Sequence, residues 1–374
     1  MRFDFAAPGR ILFGAGTVRE APAAVRALGR RALLVTGIPV TTLDIPAAAT
    51  IAVTREPTLD LVRQGAQVAR AAGCDVVVSL GGGSAIDAGK AIAALAASGG
   101  DPLDYLEVVG RSQPIPAALP LVAIPTTAGT GAEATRNAVL GSPEHGVKAS
   151  LRSPLLLARL ALVDPELTYA LPPAITASTG LDALTQLIEP YVSVRANAMT
   201  DMFCEEGMRR VAGSLVCAWR HGGDAEARAD MSLASLLGGL SLANAGLGAV
   251  HGFAAPLGGQ FNAPHGALCA AVLPHAMRVN IHAARQRAAS EETLRRFAAV
   301  ARILTGHPSA TPEDAAEWIA ALCAELGIPP LGAYGVRAAD IPTLVEKAAQ
   351  SSSMRANPVS LTSEELTAIL AAAL

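Results

Sequence analysis

The sequence predicts a chain of two halves, an α/β domain organised on a parallel sheet followed by an all-helical domain. Three observations lead there. The first half alternates short apolar runs with stretches of helical periodicity, the pattern of strands covered by helices. Beyond Val163-Asp-Pro-Glu-Leu the strand-type alternation stops and Ala and Leu dominate. The 374 residues also exceed what one ordinary core holds. We place the boundary near residue 165, giving domains 1–165 and 166–374.

In order, residues 18–28 carry apolar positions at helical spacing and 32–36 (ALLVT) read as a strand. A second strand is expected at 50–53, a helix at 59–72, a third strand at 75–80 (DVVVSL) and a fourth at 119–124. After Pro172-Pro173 the chain reads helical nearly to its end. Thr311-Pro-Glu-Asp and Thr362-Ser-Glu-Glu supply capping signals there.

Composition narrows the function. With 51% hydrophobic and 16% charged residues and a net charge of −3, nothing suggests a surface built for nucleic acid or anionic lipid. The cysteines Cys74, Cys204, Cys217, Cys269 and Cys323 form no CxxC pair, which fits reduced thiols and a cytoplasmic location. No signal peptide is evident at the N-terminus. Residues 231–277 contain no Asp, Glu, Lys or Arg, long enough to span a bilayer. Gly246, His251, Pro256, Pro264 and His265 interrupt that run, however, so we expect buried helices around a site and no membrane segment.

Two loops carry the first chemistry. The strand at 75–80 runs directly into Gly81-Gly82-Gly83-Ser84, and a helical pattern follows. Such a junction presents free N–H groups at the positive end of a helix, where a diphosphate binds, and Ser84 adds a hydroxyl donor. Alone, this could be only a tight connection. The second loop, Pro125-Thr-Thr-Ala-Gly-Thr-Gly-Ala-Glu, also follows a strand and offers three hydroxyls beside two glycines. Together the loops suggest one dinucleotide.

A third group of residues suggests a metal. Asp182 and Gln186 lie four apart on one helix face, and His251 and His265 bracket HGFAAPLGGQFNAPH. A carboxylate and two imidazoles can bind a divalent metal and leave a position for a substrate oxygen. Satisfied core residues are the alternative, which we prefer for His145, His221, His282 and His307, with His275 intermediate.

With these residues assembled, the chain resembles the iron-containing alcohol dehydrogenase family, related in fold to glycerol dehydrogenase and dehydroquinate synthase. GGGSAIDAGKAIA (81–93), IPTTAGTGAEAT (124–135), LVDPELT (162–168), TGLDALTQLIEPYVS (179–193) and GLGAVHGFAAPLGGQFNAPHG (246–266) carry the resemblance. It implies a dinucleotide-binding N-terminal domain, an all-helical C-terminal domain with a site in the cleft between them, NAD or NADP as cofactor, a small-molecule substrate and a homodimer or larger. By the same resemblance Gly81, Gly82, Gly83, Ser84 and Asp87 belong to the cofactor site, Thr126, Thr127 and Thr130 line the cofactor, and Lys148 falls near the nicotinamide ribose.

The sequence departs from the family pattern at the metal. Asp182, His251 and His265 match three ligands, but Gln186 stands where the family has the remaining histidine, and a glutamine oxygen is a poorer ligand for iron or zinc. Pro190 cannot donate to the carbonyl of Gln186, so the helix is expected to end or kink there. Ala255 replaces a histidine that many members place near the substrate. Iron or zinc remains open. Gly37 follows the strand at 32–36, where NAD-preferring members have an aspartate. NADP is therefore admitted and slightly favoured, with dual use expected.

The resulting expectation is hydride transfer between NAD(P) and a small alcohol, aldehyde or ketone. His251 and His265 either hold a metal with Asp182 or polarise the substrate oxygen directly. A metal-independent reductase of the maleylacetate reductase type, acting on an unsaturated oxo-acid, is the alternative. The branch's altered aspartate is missing here, and Arg136, Arg195 and Arg278 would be its candidate cations. A catalytically silent cofactor-binding member is the third reading.

Overall fold

The computed structural model describes residues 2–38, 45–145, 147–261, 263–287 and 291–374. It divides into two compact units, Phe5–Ala170 and Leu171–Leu374, the latter including the N-terminal stub through Asp4.

The first unit is the α/β half. Its strands are β1 (Ile11–Phe13), β2 (Ala32–Thr36), β3 (Ala47–Ala52), β4 (Val76–Gly81), β5 (Leu121–Pro125), β6 (Asn137–Ser142), β7 (Val147–Arg152) and β8 (Leu160–Val163). Six form one parallel sheet in the order β1-β8-β5-β4-β2-β3. Every residue of β2, β4, β5 and β8 is buried, as strands covered on both faces must be. Helices α1 (Ala21–Leu28), α2 (Leu59–Ala71), α3 (Gly83–Ser98) and the single turn α4 (Pro102–Tyr105) belong to this unit.

All four expected strands are present. β3 begins three residues earlier than expected, since residues 47–49 give no β-branched signal, yet Ala47 and Ala49 pair with β2 across a register shift at Ala48. The expected helix at 18–28 opens as a 3-10 turn, Thr17–Glu20, before α1. Sequence patterning missed β1, β8 and the antiparallel hairpin β6–β7. β1 is three residues long, too short for a period to register.

One sheet property places the first candidate site. From β2 the sheet extends to β3 in one direction, and from β4 it extends to β5 and β8 in the other. The junction between β2 and β4 is therefore the switch point of the sheet, where parallel α/β sheets bind ligands at the carboxyl ends of their strands. Thr36 pairs with Leu80, and Leu80 with Ile124, so three strand ends finish level.

The second unit is all helical: α5 (Pro173–Val192), α6 (Ala198–Arg220), α7 (Ala225–Ala245), α8 (Ala249–Gln260), α9 (His265–Gln286), α10 (Glu291–Thr305), α11 (Pro312–Glu325), α12 (Ile341–Ala349) and α13 (Ser363–Ala373). α5 is buried on all faces from Gly180 to Val192, packed by α6, α7 and α9, which makes it the central helix. It carries Pro190 in its last turn and stops two residues later. The capping signals act as expected. Thr362 accepts from the N–H of Glu365 (3.2 Å) while its own N–H donates to Oε2 of Glu365 (2.7 Å), and Thr311 N–H donates to Asp314 (2.7 Å). Among the described residues no single helix is long and apolar enough to cross a membrane. α7 and α8 would be together, but they bend by 101°.

Candidate cofactor loops and metal centre

At the switch point, β4 ends in Gly81 and α3 starts at Gly83, with Gly82 as its N-cap and no side chain capping it. Gly37, the residue after β2, donates to the carbonyl of Leu80 (2.9 Å), and Thr126 donates to the carbonyl of Gly81 (3.0 Å). A Cβ on Gly81 would sit 2.7 Å from Cβ of Ala85 and 3.0 Å from the backbone nitrogen of Gly37, so only glycine lets these turns meet. The two polar loops also abut: a Cβ on Gly83 would lie 2.8 Å from the hydroxyl of Thr130, and one on Gly82 3.4 Å from that of Thr127. Gly37, Gly81, Gly82, Gly83, Ser84, Thr126, Thr127 and Thr130 thus cluster around the ends of three level strands. The start of α3 adds N–H groups and the positive end of its dipole.

Asp87 and Lys148 have other partners as well. Asp87 accepts from the N–H of Val139 (3.0 Å), tying α3 to the hairpin, and Lys148 on β7 lies 3.3 Å from Glu56. Below the loops, Lys90 is fully buried and donates to Thr135 Oγ1 (2.7 Å) and to the carbonyl of Asn137 (2.9 Å). Burial lowers its pKa to about 8, against the pull of Asp87 and Glu133, and burial raises that of Glu133 to about 7.

In the helical unit, three helices meet on four side chains: Asp182 from α5, His251 from α8, and His265 with Cys269 from α9. Their potential ligand atoms all lie within 4.8 Å of one another. Asp182 Oδ1 is 3.5 Å from His251 Nε2 and 3.7 Å from His265 Nε2, while Cys269 Sγ is 3.9 Å and 3.7 Å from the same two nitrogens. Gly266 makes the meeting possible, because a Cβ there would come within 2.2 Å of the carbonyl of Ser178 and 3.1 Å of Asp182 Cβ. α9 therefore presses its first turn directly onto α5.

Glu189, one turn beyond Gln186 on α5, supports the cluster. Its Oε2 lies 2.6 Å from His251 Nδ1 and its Oε1 accepts from the N–H of Val250 (2.7 Å). The carboxylate thus caps the start of α8 and leaves Nε2 of His251 to face Asp182, the arrangement in which a second partner orients a metal-binding imidazole. Gln186 is buried and hydrogen-bonds the Asp182 carboxylate. Arg278, one of the candidate cations of the metal-independent reading, pairs at the surface with Glu317 (3.0 Å).

The electrostatics favour positive charge at the centre. Burial opposes ionisation of Asp182, yet His265, His251 and Gln186 hold its carboxyl below the ordinary value. Burial likewise opposes a charged His251, but Cys269, Glu189 and Asp182 lift it well above the ordinary imidazole value. Cys269 and Asp182, working against burial, lift His265 to about 9. Burial pushes the Cys269 thiol up, but the two imidazoles carry it net below its usual value.

A divalent cation fits these donors. Asp182 is 2% exposed and its Oδ1 accepts no hydrogen bond among the described residues, an arrangement that is costly unless a cation supplies the partner. Sequence reasoning missed Glu189 and Cys269. Glu189 stands within a quoted motif without any spacing rule attached, whereas His265 and Cys269 are four apart on one helix, the same i, i+4 signal that singled out Asp182 and Gln186.

Comparison with known proteins agrees with this architecture. Residues 8–165 match the iron-containing alcohol dehydrogenase model, and residues 176–374 match the C-terminal model of the Fe-containing alcohol dehydrogenase family. Alcohol dehydrogenase 4 of Saccharomyces cerevisiae is 38% identical over 315 residues, 84% of this chain and 80% of that protein. The crystal structure of a 1,3-propanediol oxidoreductase superposes with a TM-score of 0.90 at 33% identity, covering all of both chains. Sulfoacetaldehyde reductase from Bifidobacterium kashiwanohense, solved in complex with NAD+, superposes with a TM-score of 0.87 at 29% identity over 100% of this chain and 99% of that one. The chain belongs to the iron-containing alcohol dehydrogenase family and is an enzyme of NAD(P)-linked alcohol and aldehyde oxidoreduction.

Proposed function

We propose that this enzyme reduces small aldehydes or ketones, and oxidises the corresponding alcohols, with the reacting oxygen at a divalent metal held by Asp182, His251 and His265. The observation that carries the reading is the buried Asp182 Oδ1, which faces two imidazole nitrogens and accepts no hydrogen bond among the described residues. A metal held there would supply Lewis acidity toward a carbonyl or alcohol oxygen, and a bound nicotinamide would carry the hydride.

The remaining work falls to side chains and backbone. Glu189 holds Nδ1 of His251 and so keeps Nε2 directed at the cluster. Gly81, Gly82, Gly83 and Ser84 receive the cofactor diphosphate, with Thr126, Thr127 and Thr130 lining it. Asp87 and Lys148 brace this region through the hairpin and Glu56, with Lys148 the nearer to a ribose role. The side chain of His265 is 35% exposed, the most open of the donors, and marks the side from which substrate enters.

Both cofactors are used, with a lean to NADP(H). Gly37 offers no carboxylate to repel a 2'-phosphate, and a Cβ there would make only ordinary contacts at 3.5 Å, so the space exists. Gly37→Asp is expected to weaken NADPH binding by roughly tenfold or more while sparing NADH. Equal effects on the two cofactors would remove Gly37 from the selectivity argument.

The central test measures NADH and NADPH oxidation with small aldehydes before chelation, after it, and after metal is restored. Activity that follows the metal supports the reading. Activity that survives full chelation and prefers an acidic substrate would replace it with the metal-independent reductase. The enzyme acts as a homodimer or larger in cytoplasm on this proposal, which sedimentation and fractionation test separately.

A further inference from the structure

The family pattern puts a histidine at the position of Gln186, and the chain has a thiol where that ligand's function can be recovered. We infer that Cys269 is the fourth protein ligand, so that the centre is an Asp-His-His-Cys site selecting zinc over iron. The inference rests on the metal reading above and specifies its donor set.

Geometry is the first support. Metal–ligand bonds of about 2.0–2.3 Å place tetrahedral donors about 3.3–3.7 Å apart. Four of the six separations are 3.5, 3.7, 3.7 and 3.9 Å, within a few tenths of an ångström of that range, and all six lie within 4.8 Å. Cys269 Sγ is buried and stands against both imidazole nitrogens, while Asp182 Oδ1, also buried, faces the same nitrogens and accepts no hydrogen bond among the described residues. The thiol and the carboxylate oxygen therefore close a cage around a common centre.

Chemistry is the second. Gln186 serves the Asp182 carboxylate as a hydrogen-bond donor, which fixes that ligand. One ligand has in effect moved from α5 to α9: an Asp-x-x-x-His pair on α5 becomes a His265-x-x-x-Cys269 pair on α9, both at i, i+4. A carboxylate and a thiolate neutralise a divalent ion between them. Thiolate is a soft ligand that suits zinc, whereas the imidazole-rich set it replaces also suits iron. With four protein donors, zinc would have to expand its coordination to act on a substrate oxygen, as catalytic zinc sometimes does in the transition state.

The experiment uses the full-length protein loaded with zinc, and with cobalt(II) as a spectroscopic stand-in. X-ray absorption at the zinc edge is expected to show one sulfur neighbour at about 2.3 Å beside nitrogen and oxygen neighbours at about 2.0 Å. The cobalt form is expected to show a near-ultraviolet thiolate-to-metal charge-transfer band. Cys269→Ser should abolish both sulfur signals and weaken zinc binding about 100-fold or more, beyond the usual loss of an outer-shell partner. Gln186→Ala should leave both signals in place. A chain that binds zinc with no sulfur neighbour overturns the thiolate ligand while the metal reading stands. A chain that binds neither zinc nor cobalt overturns the four-donor zinc site, and one that fails to bind iron(II) as well overturns the metal reading. Because Cys269→Ser could disturb packing, Cys269→Asn serves as a second variant, and circular dichroism must match the parent for either to count.

Discussion

Around the ends of β2, β4 and β5 the chain offers its guest backbone N–H groups, glycines and small hydroxyls. The helical unit instead converges four long-range side chains from three helices on one point. The first arrangement depends on chain path and the second on donor identity, and they tolerate change differently. A glycine turn has no substitute when its Cβ position is already filled, as at Gly81. A ligand can be replaced by any donor that reaches the same centre, as Cys269 does for the histidine missing at 186. On the proposed reading, the glycine and threonine loops are held by chain path, whereas the metal site admits an exchange of donors.

The largest effect is expected from Asp182→Asn. Removing the charge that two imidazoles face should empty the metal site and lower aldehyde reduction by about 100-fold or more, since metal polarisation contributes several kcal/mol to the barrier. Cofactor binding, followed by NADPH fluorescence, should stay within about twofold. A variant that lost cofactor affinity as well would break the separation between the two regions. Next comes Glu189→Gln. It keeps an acceptor for the N–H of Val250 but cannot hold the Nδ1 proton of His251 as a carboxylate does. Metal affinity should fall by about 10- to 100-fold, and activity should recover at high added metal. Loss that added metal cannot restore would assign Glu189 a role other than orienting the imidazole.

The contrast also explains what could be read from sequence. The loops are contiguous, so GGGS after a strand and PTTAGTGAE after another stood out as strings, and the strands β2 to β5 showed as apolar runs. β1 and β8 did not, because strands this short acquire their identity from each other: Ile11, Leu12 and Phe13 pair with Ala161, Leu162 and Val163 across 150 residues. For the metal centre, Asp182, His251 and His265 could be singled out by type and by family pattern. Cys269 had only its i, i+4 spacing from His265 to mark it, and the close approach of α9 to α5 at Gly266 is what brings its sulfur to the same imidazoles. Composition alone assigned that cysteine to the scattered thiols.

On the cofactor side, Gly81→Ala tests the claim that chain path is decisive. The added methyl meets Ala85 Cβ at 2.7 Å and the Gly37 nitrogen at 3.0 Å, so both turns must move. Overpacking of this kind costs about 1–3 kcal/mol. Affinity for NADH and NADPH should fall roughly tenfold, taking much of that strain as lost binding, while bound metal per chain is unchanged. An unaltered cofactor affinity would mean that the backbone there is not part of the binding surface.

The smallest expected effect concerns pH and the charges buried beneath those loops. Glu133 has its pKa raised to about 7 by burial, against 4.5 for the exposed group, and Lys90 nearby pulls it back only in part. Between these values the folded chain holds a proton that the unfolded chain has released. Stability contributed by this site therefore falls as pH rises from 4.5 to 7. Glu133→Gln keeps the shape of the protonated acid and cannot ionise. It should match the parent near pH 5 and exceed it near pH 7.5, by at most about 3 kcal/mol from the size of the shift. Thermal melts at the two pH values measure the difference. The opposite trend, a variant less stable at pH 7.5 than at pH 5 relative to the parent, would show that Glu133 is ionised at neutral pH and that its attraction to Lys90 outweighs burial. In either case the metal content should not change, because the proton in question belongs to the unit that binds through its backbone.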